Sequence, residues 1–150
     1  MYALYTLFFL LAGLGLLPHI LWRCLRGATY HPDLAERLGY GIVSSVTVQA
    51  ARGCLWFHAA SVGEVQGVQP IIATLHTCVP ELPIVLSVFT PAGKHIAQGI
   101  VPEAISIFVL PLDLPWLMRR MMRCLRPCAL IVQETELWPN LFHAAARYHI

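Results

Sequence analysis

Residues 54–64 read CLWFHAASVGE. The apolar run CLWFHA (54–59) has the length of a short buried strand, and Ser61, Val62 and Gly63 break it before a carboxylate, Glu64. Val65, Val68, Ile71, Ile72 and Leu75 then recur at helical spacing, which predicts a helix over Val65–His76. Pro70 sits in its second turn, where it is expected to bend the helix or delay its start. The stretch is a strand, a turn of small residues and a helix, with an acid at the junction.

The same unit repeats toward the carboxyl end. PIVLSVF (83–89) leads through TPAG into a short helix from Lys94 to Gly99, and SIFVL (106–110) leads through PLDLP into a helix over Trp116–Leu125. ALIVQ (129–133) leads through ETELW into a helix over Pro139–Tyr148. The strands are nearly continuous apolar runs, as parallel strands buried on both faces should be. Strand–helix alternation with short loops and right-handed crossovers predicts an α/β fold with a Rossmann-like parallel sheet.

Toward the amino end the pattern changes. From Met1 to Trp22 there is no Asp, Glu, Lys or Arg, and Arg23 and Arg26 follow at once. A spanning helix needs about 20 mostly apolar residues. A cleaved leader would carry its positive charge before the apolar run, not after it. Residues 1–26 therefore read as a membrane-anchor helix with its carboxyl side in the cytoplasm. Pro18 and His19 weaken the far end, so an anchor lying partly in the interface is the alternative. Residues 27–52 read as a juxtamembrane connection with a short helical piece over Pro32–Leu38, and 53–150 as the α/β domain.

Composition narrows the function. The chain is 57% hydrophobic and only 12% charged, with a mean hydropathy of +0.64, where soluble domains carry about 25% charged residues. A net charge of +2 without a basic and aromatic pattern argues against a nucleic-acid partner. Cys24, Cys54, Cys78, Cys124 and Cys128 are scattered and form no CxxC, so they read as reduced thiols rather than metal ligands.

With so few charges, their placement carries information. Of the eight acids, Glu64, Asp113, Glu134 and Glu136 lie just beyond the carboxyl ends of predicted strands. Asp33 and Glu36 fall in the connection, and Glu81 and Glu103 on the helix-to-strand side. Open parallel sheets bind ligands in the crevice outside the strand carboxyl ends. An acid in a first helical turn can also serve the macrodipole alone, but four on one rim point to a site.

The other rim residues divide between chemistry and structure. Ser61, Val62 and Gly63 leave backbone N–H groups free at a helix start, an anion-binding arrangement, and Thr90 with Gly93 offers a hydroxyl and an open turn. Asp113 either caps the helix that follows it or contacts ligand. His58 reads as a core histidine, and Ser61 has no His and Asp partners for a nucleophilic triad. Arg119, Arg123 and Arg126 share one face of the third helix, with Arg120 at its edge, opposite Leu117, Met118, Met121, Met122 and Leu125. That face is solvated or meets anionic headgroups or phosphates.

HAASVGE (58–64), TPAG (90–93), LPLDLP (110–115) and QETELWPN (133–140), in that order, resemble the Kdo (3-deoxy-D-manno-octulosonic acid) transferase family of bacterial lipid A assembly. The resemblance extends over essentially the whole chain, including ERLG (36–39). It implies an inverting glycosyltransferase of GT-B fold with an amino-terminal anchor, working at the cytoplasmic face of the bacterial inner membrane. Such an enzyme transfers Kdo from its donor substrate CMP-Kdo to the lipid A precursor, with no metal or cofactor. Carried over by motif, Glu64 is the general base and Glu134 a second catalytic acid, with Ser61, Gly63, Thr90 and Glu136 as candidate acceptor contacts.

Gln133 stands where the family usually has methionine, Leu112 where tyrosine is common, and Val88-Phe89 where threonines are common. Family chains also run on through a second Rossmann-like domain that binds the CMP-sugar, whereas this sequence stops at Ile150. It is expected to be the acceptor-side half, lacking the donor domain and inactive alone. The alternatives are a catalytically dead membrane-bound remnant that binds the acceptor lipid, and an unrelated membrane-tethered anion-binding module.

Overall fold

The structure, a computed structural model, describes residues 2–25, 35–40, 50–134 and 136–150. Four strands, β1 (Leu55–His58), β2 (Ile84–Val88), β3 (Ser106–Val109) and β4 (Ala129–Val132), form one parallel sheet in the order β3-β2-β1-β4. The register pairs His58 with Ser87 of β2 and with Val132 of β4, and Val88 with Val109 of β3. The predicted α/β parallel sheet is present, each strand a residue or more shorter than its apolar run.

Helices α2 (Val62–Cys78), α3 (Pro91–Ile100), α4 (Pro115–Leu125) and α5 (Pro139–Arg147) follow the strands in turn. Alternation along the strands divides the core. Phe57, Ile84, Leu86, Val88 and Val109 face α2 and α3, where Val65, Val68, Ile72 and Ala97 pack against them. Trp56, Val85, Phe108 and Leu110 face α4 and α5, meeting Leu117, Met118, Met121, Met122, Leu125 and Leu141. The sheet is thus covered on both faces, as the apolar strands required.

Two helices begin three residues earlier than their apolar spacing predicts, and capping explains both. Ser61 is the N-cap of α2, its Oγ accepting from the Glu64 N–H at 3.3 Å. Glu64 reaches back, and its Oε2 accepts from the Ala60 N–H at 2.7 Å. This is a capping box shifted by one residue, and it draws Val62 and Gly63 into the helix. Pro70 lies inside α2 and does not delay its start. In α3, Thr90 caps through the Gly93 N–H at 3.1 Å, with Pro91 at the first helical position, where proline's missing N–H and fixed φ suit the helix. Of the apolar set predicted for α2, Ile71 is exposed while Ile72 beside it is buried.

The amino-terminal apolar run is helical, α1 (Tyr2–Leu25). Among the described residues, no helix is long and apolar enough to cross a membrane. Gly13, Gly15, Pro18 and His19 interrupt the apolar run, and the spanning anchor expected over residues 1–26 is not supported. The first turns of α1 instead lie against α5. Thr6 Oγ1 donates to Asn140 Oδ1 at 3.3 Å, and the Tyr5 hydroxyl donates to the Asp113 carboxylate. Leu4, Leu7, Phe8, Leu10, Leu11 and Leu14 remain exposed. Of the short helix expected over Pro32–Leu38, residues 35–37 are helical, while 32–34, Arg26 and Asp33 lie outside the described residues.

Candidate active site at the carboxyl edge of the sheet

Strand order places the site. β1 passes through α2 to β2, and β2 through α3 to β3, each step moving one way across the sheet. After α4 the chain returns to the far side of β1 and lays down β4. The order reverses between β1 and β4, and their carboxyl ends bound the crevice where open parallel sheets take their ligands.

Glu64 and Glu134 follow those two strands. Glu64 stands in the first turn of α2, buried to 9% exposure, with its carboxylate on the Ala60 N–H. Glu134 is exposed and comes two residues after β4, whose last ladder bond runs from the Gln133 N–H to the His58 carbonyl at 2.9 Å. Its φ of 59° lies in the left-handed region, which costs a side-chain-bearing residue about 1–2 kcal/mol. Both acids therefore leave the same edge of the sheet, on the two strands that flank the reversal.

The other candidates fall around this edge. Ser61 and Gly63 open α2, and Thr90 opens α3 on the neighbouring strand β2. Gly93 packs closely beside it: a Cβ there would stand 3.2 Å from Thr90 Oγ1. Glu136 is half-buried in the segment between β4 and α5; its neighbour Thr135 lies outside the described residues.

Asp113 has a different task. It is fully buried, and its carboxylate accepts from the backbone N–H groups of Asn140 at 3.0 Å and Leu141 at 2.8 Å. These are first-turn donors of α5, whose own N-cap, Trp138, supplies no side-chain bond. Asn140 Nδ2 returns a bond to the Asp113 carbonyl at 2.6 Å. Asp113 thus caps α5 across space, and not the helix α4 that follows it, which was one of the two roles its sequence position offered. Burial pushes its carboxyl above the ordinary value, opposed by the bonds from Asn140, Leu141 and Tyr5.

His58 is the core histidine that its position in an apolar strand implied. It is fully buried, with Nδ1 2.9 Å from Ser87 Oγ and 3.2 Å from the Ser87 carbonyl. Trp56 Nε1 also donates to Ser87 Oγ, at 2.8 Å. Burial lowers the His58 pKa to about 4, against the Ser87 carbonyl and the Glu64 charge, which favour the cation. Among the described residues, His58 Nε2 and Trp138 Nε1 are buried without a hydrogen-bond partner.

Sequence reasoning passed over the cations of this rim. Arg37, read as part of a connection, donates from Nη2 to the Phe89 carbonyl at 2.9 Å and lies 4.8 Å above the Phe89 ring. Trp138 stacks on Phe89 with centroids 5.4 Å apart. The Leu112 N–H donates to the Arg37 carbonyl at 2.9 Å, and Glu36 pairs with Lys94 of α3. The available signal was ERLG itself, an acid and a base ahead of a glycine in a charge-poor chain. On α4, Leu117, Met118, Met121, Met122 and Leu125 are buried and Arg119, Arg123 and Arg126 exposed, as their spacing predicts.

Comparison with known proteins agrees with the motif order. The family model described as 3-deoxy-D-manno-octulosonic-acid transferase (kdotransferase) matches residues 33–150. A 3-deoxy-D-manno-octulosonic acid transferase of Haemophilus influenzae is 37% identical over 119 residues, 79% of this chain and 27% of the relative. A probable mitochondrial 3-deoxy-D-manno-octulosonic acid transferase of Arabidopsis thaliana is 32% identical over 128 residues, 85% of this chain and 28% of its own length. The transferase of Chlamydia muridarum is 30% identical over 145 residues, 96% of this chain and 33% of its own. The chain spans about a quarter to a third of the length of the curated relatives it matches.

Proposed function

The chain belongs to the 3-deoxy-D-manno-octulosonic acid (Kdo) transferase family, and from that premise we propose that it forms the acceptor side of a GT-B glycosyltransferase. In this reading it serves inverting transfer of Kdo from CMP-Kdo to the lipid A precursor. The observation that carries the proposal is the departure of Glu64 and Glu134 from the two strands flanking the sheet's reversal.

Glu64 is the general base. Its Oε2 is held by the Ala60 N–H, which orients the carboxylate and leaves the other oxygen to meet the acceptor. As the acceptor's sugar hydroxyl attacks the anomeric carbon of Kdo, its proton passes to Glu64. The new C–O bond forms on the face opposite the departing CMP, which leaves with the electron pair of the broken bond. Glu134 stands across the crevice, while Ser61, Gly63, Thr90 and Glu136 line the acceptor side. CMP-Kdo is held by a second domain within the remaining length of a family enzyme, so the 150-residue chain alone does not transfer. The reaction is assigned no metal or cofactor.

In the same reading, membrane contact is assigned to α1. Its exposed leucines and Phe8 are placed in the interface of the cytoplasmic leaflet of a bacterial inner membrane, lying along the surface rather than crossing it. A groove of about 360 Å³ between Leu7, Leu10, Pro115, Arg119 and His143 joins that apolar surface to the basic face of α4.

One observation favours a second reading. The Glu64 carboxylate already closes a capping box, a task that needs no chemistry, so an inactive remnant that only binds the acceptor is the alternative. Fusing this chain to the carboxyl-terminal domain of the Haemophilus influenzae relative separates the two. The fusion is expected to transfer Kdo, and Glu64→Gln to lower the rate by about 10²–10⁴-fold without changing its circular dichroism. Transfer undiminished in Glu64→Gln rejects the base assignment, and a folded but inert wild-type fusion favours the remnant.

A further inference from the structure

Two of the five cysteines lie side by side just before β1 and β4, at the end of the sheet opposite the candidate site. Cys54 and Cys128 immediately precede the first paired residues of β1 and β4, Leu55 and Ala129. The Cys128 N–H donates to the Cys54 carbonyl at 2.9 Å, and Cys128 Sγ contacts the same oxygen at 3.3 Å. Neighbouring strands lie about 4.7–4.9 Å apart, within the Cα separation of about 4.4–6.8 Å that a disulfide spans. Cys128 is exposed and Cys54 fully buried, so solvent reaches one sulfur of the pair and not the other.

We propose that Cys54 and Cys128 form a dithiol modification site that a small-molecule disulfide, such as glutathione disulfide, oxidises to a bond between β1 and β4. The exposed Cys128 thiolate, having given its proton to solvent, attacks one sulfur of glutathione disulfide. The S–S bond breaks and one glutathione leaves as a thiol. Cys54 then loses its proton and attacks the Cys128 sulfur, expelling the second glutathione. The protein dithiol is oxidised by two electrons and one glutathione disulfide is reduced to two thiols.

The order follows from the surroundings. Burial and the nearby Cys128 raise the Cys54 thiol to about 12, so Cys54 is the slower, resolving partner. The site stands apart from the transferase reading, although its product would act on the same strands. β4 is an edge strand among the described residues, held to the sheet by β1. A covalent bond at the amino ends of β1 and β4 would tie together the two strands that carry Glu64 and Glu134 at their other ends.

The test uses the full chain with Cys24, Cys78 and Cys124 changed to serine, incubated with glutathione disulfide under native conditions. Both remaining thiols are expected to be lost with no glutathione mass retained. The non-reduced digest should yield one peptide pair linked through Cys54 and Cys128, which dithiothreitol separates. Adding Cys54→Ser should stop the reaction at a glutathione adduct on Cys128, and adding Cys128→Ser should abolish it. Peptide mapping of the unmodified sequence gives the same readout where the serine variants fold poorly. A glutathione adduct persisting on Cys128 with Cys54 present, or no reaction at either thiol, overturns the proposal.

Discussion

Glu64 and Glu134 show how much one residue's role depends on its backbone. Glu64 occupies the third position of α2, where its carboxylate reaches the Ala60 N–H. The S-x-x-E spacing of Ser61 and Glu64 is readable without coordinates. Glu134 differs: its φ of 59° is a property that no side-chain pattern announces. Glutamate there is strained and glycine is not. Glu134→Gly is therefore expected to raise stability by up to about 1 kcal/mol, measured by urea unfolding, while removing transfer from the fused enzyme. A loss of stability would place Glu134 in a structural role. His58 supplies a pH dependence. Its folded pKa of about 4 lies below the unfolded value of about 6.5, so the unfolded chain binds more protons between these values. The contribution is complete above pH 6.5 and lost as pH falls toward 4, about 3 kcal/mol in all. Urea titrations at pH 7 and pH 4.5 should show that loss, and His58→Asn should remove the part of it due to the ring.

At the scale of elements, the ends of helices departed most from their sequence reading. Apolar spacing locates the middle of a helix, while capping decides where it begins. Ser61 and Thr90 each draw three more residues into their helices than spacing alone implied. α5 is the harder case, because its cap comes from the loop after β3. A cap supplied from 27 residues away leaves no local pattern. Removing it with Asp113→Ala frees two first-turn N–H groups and is expected to cost about 2 kcal/mol. The desolvation that raises the Asp113 pKa offsets part of the lost bonding. Asp113→Asn keeps one acceptor oxygen and should cost about half as much. Thermal unfolding of the two variants measures both, and an unchanged midpoint for Asp113→Ala would show that water replaces the cap. The same bonds reach α1 through Asn140 and Thr6, so the alanine variant should also loosen α1, read as faster amide exchange in its first turns.

Among the described residues, the whole molecule is one sheet with a separate core on each face. Ile72 lies in the α2–α3 core and Leu141 in the α4–α5 core. Both are fully buried, so Ile72→Ala and Leu141→Ala should each cost about 2–5 kcal/mol. The sheet stands between the two positions and they share no cluster. Their effects should therefore add to within about 0.5 kcal/mol, and chemical denaturation of the double variant tests this. A cost well below the sum would mean that the faces do not unfold together. Ile71→Ala, one residue from Ile72 but 49% exposed, should stay within about 0.5 kcal/mol. Ile71 and Ile72 look alike in sequence; only the rotation of α2 against the sheet separates them.

Local patterns in the chain were enough to place the strands, the helices and the acids at the strand ends. Apolar runs, helical spacing and charge scarcity act over a few residues, and the chain carries them whatever its tertiary partners. Strand order, the reach of Asp113 to α5, the docking of Arg37 on Phe89 and the left-handed turn at Glu134 were settled by the folded structure alone. Each is a contact between segments far apart in the chain, or a backbone angle that no local side-chain pattern announces. The placement of α1 belongs with them. Its apolarity is written in the sequence, but the contacts of Thr6 with Asn140 and of Tyr5 with Asp113, which lay its first turns on the domain, join segments more than 100 residues apart.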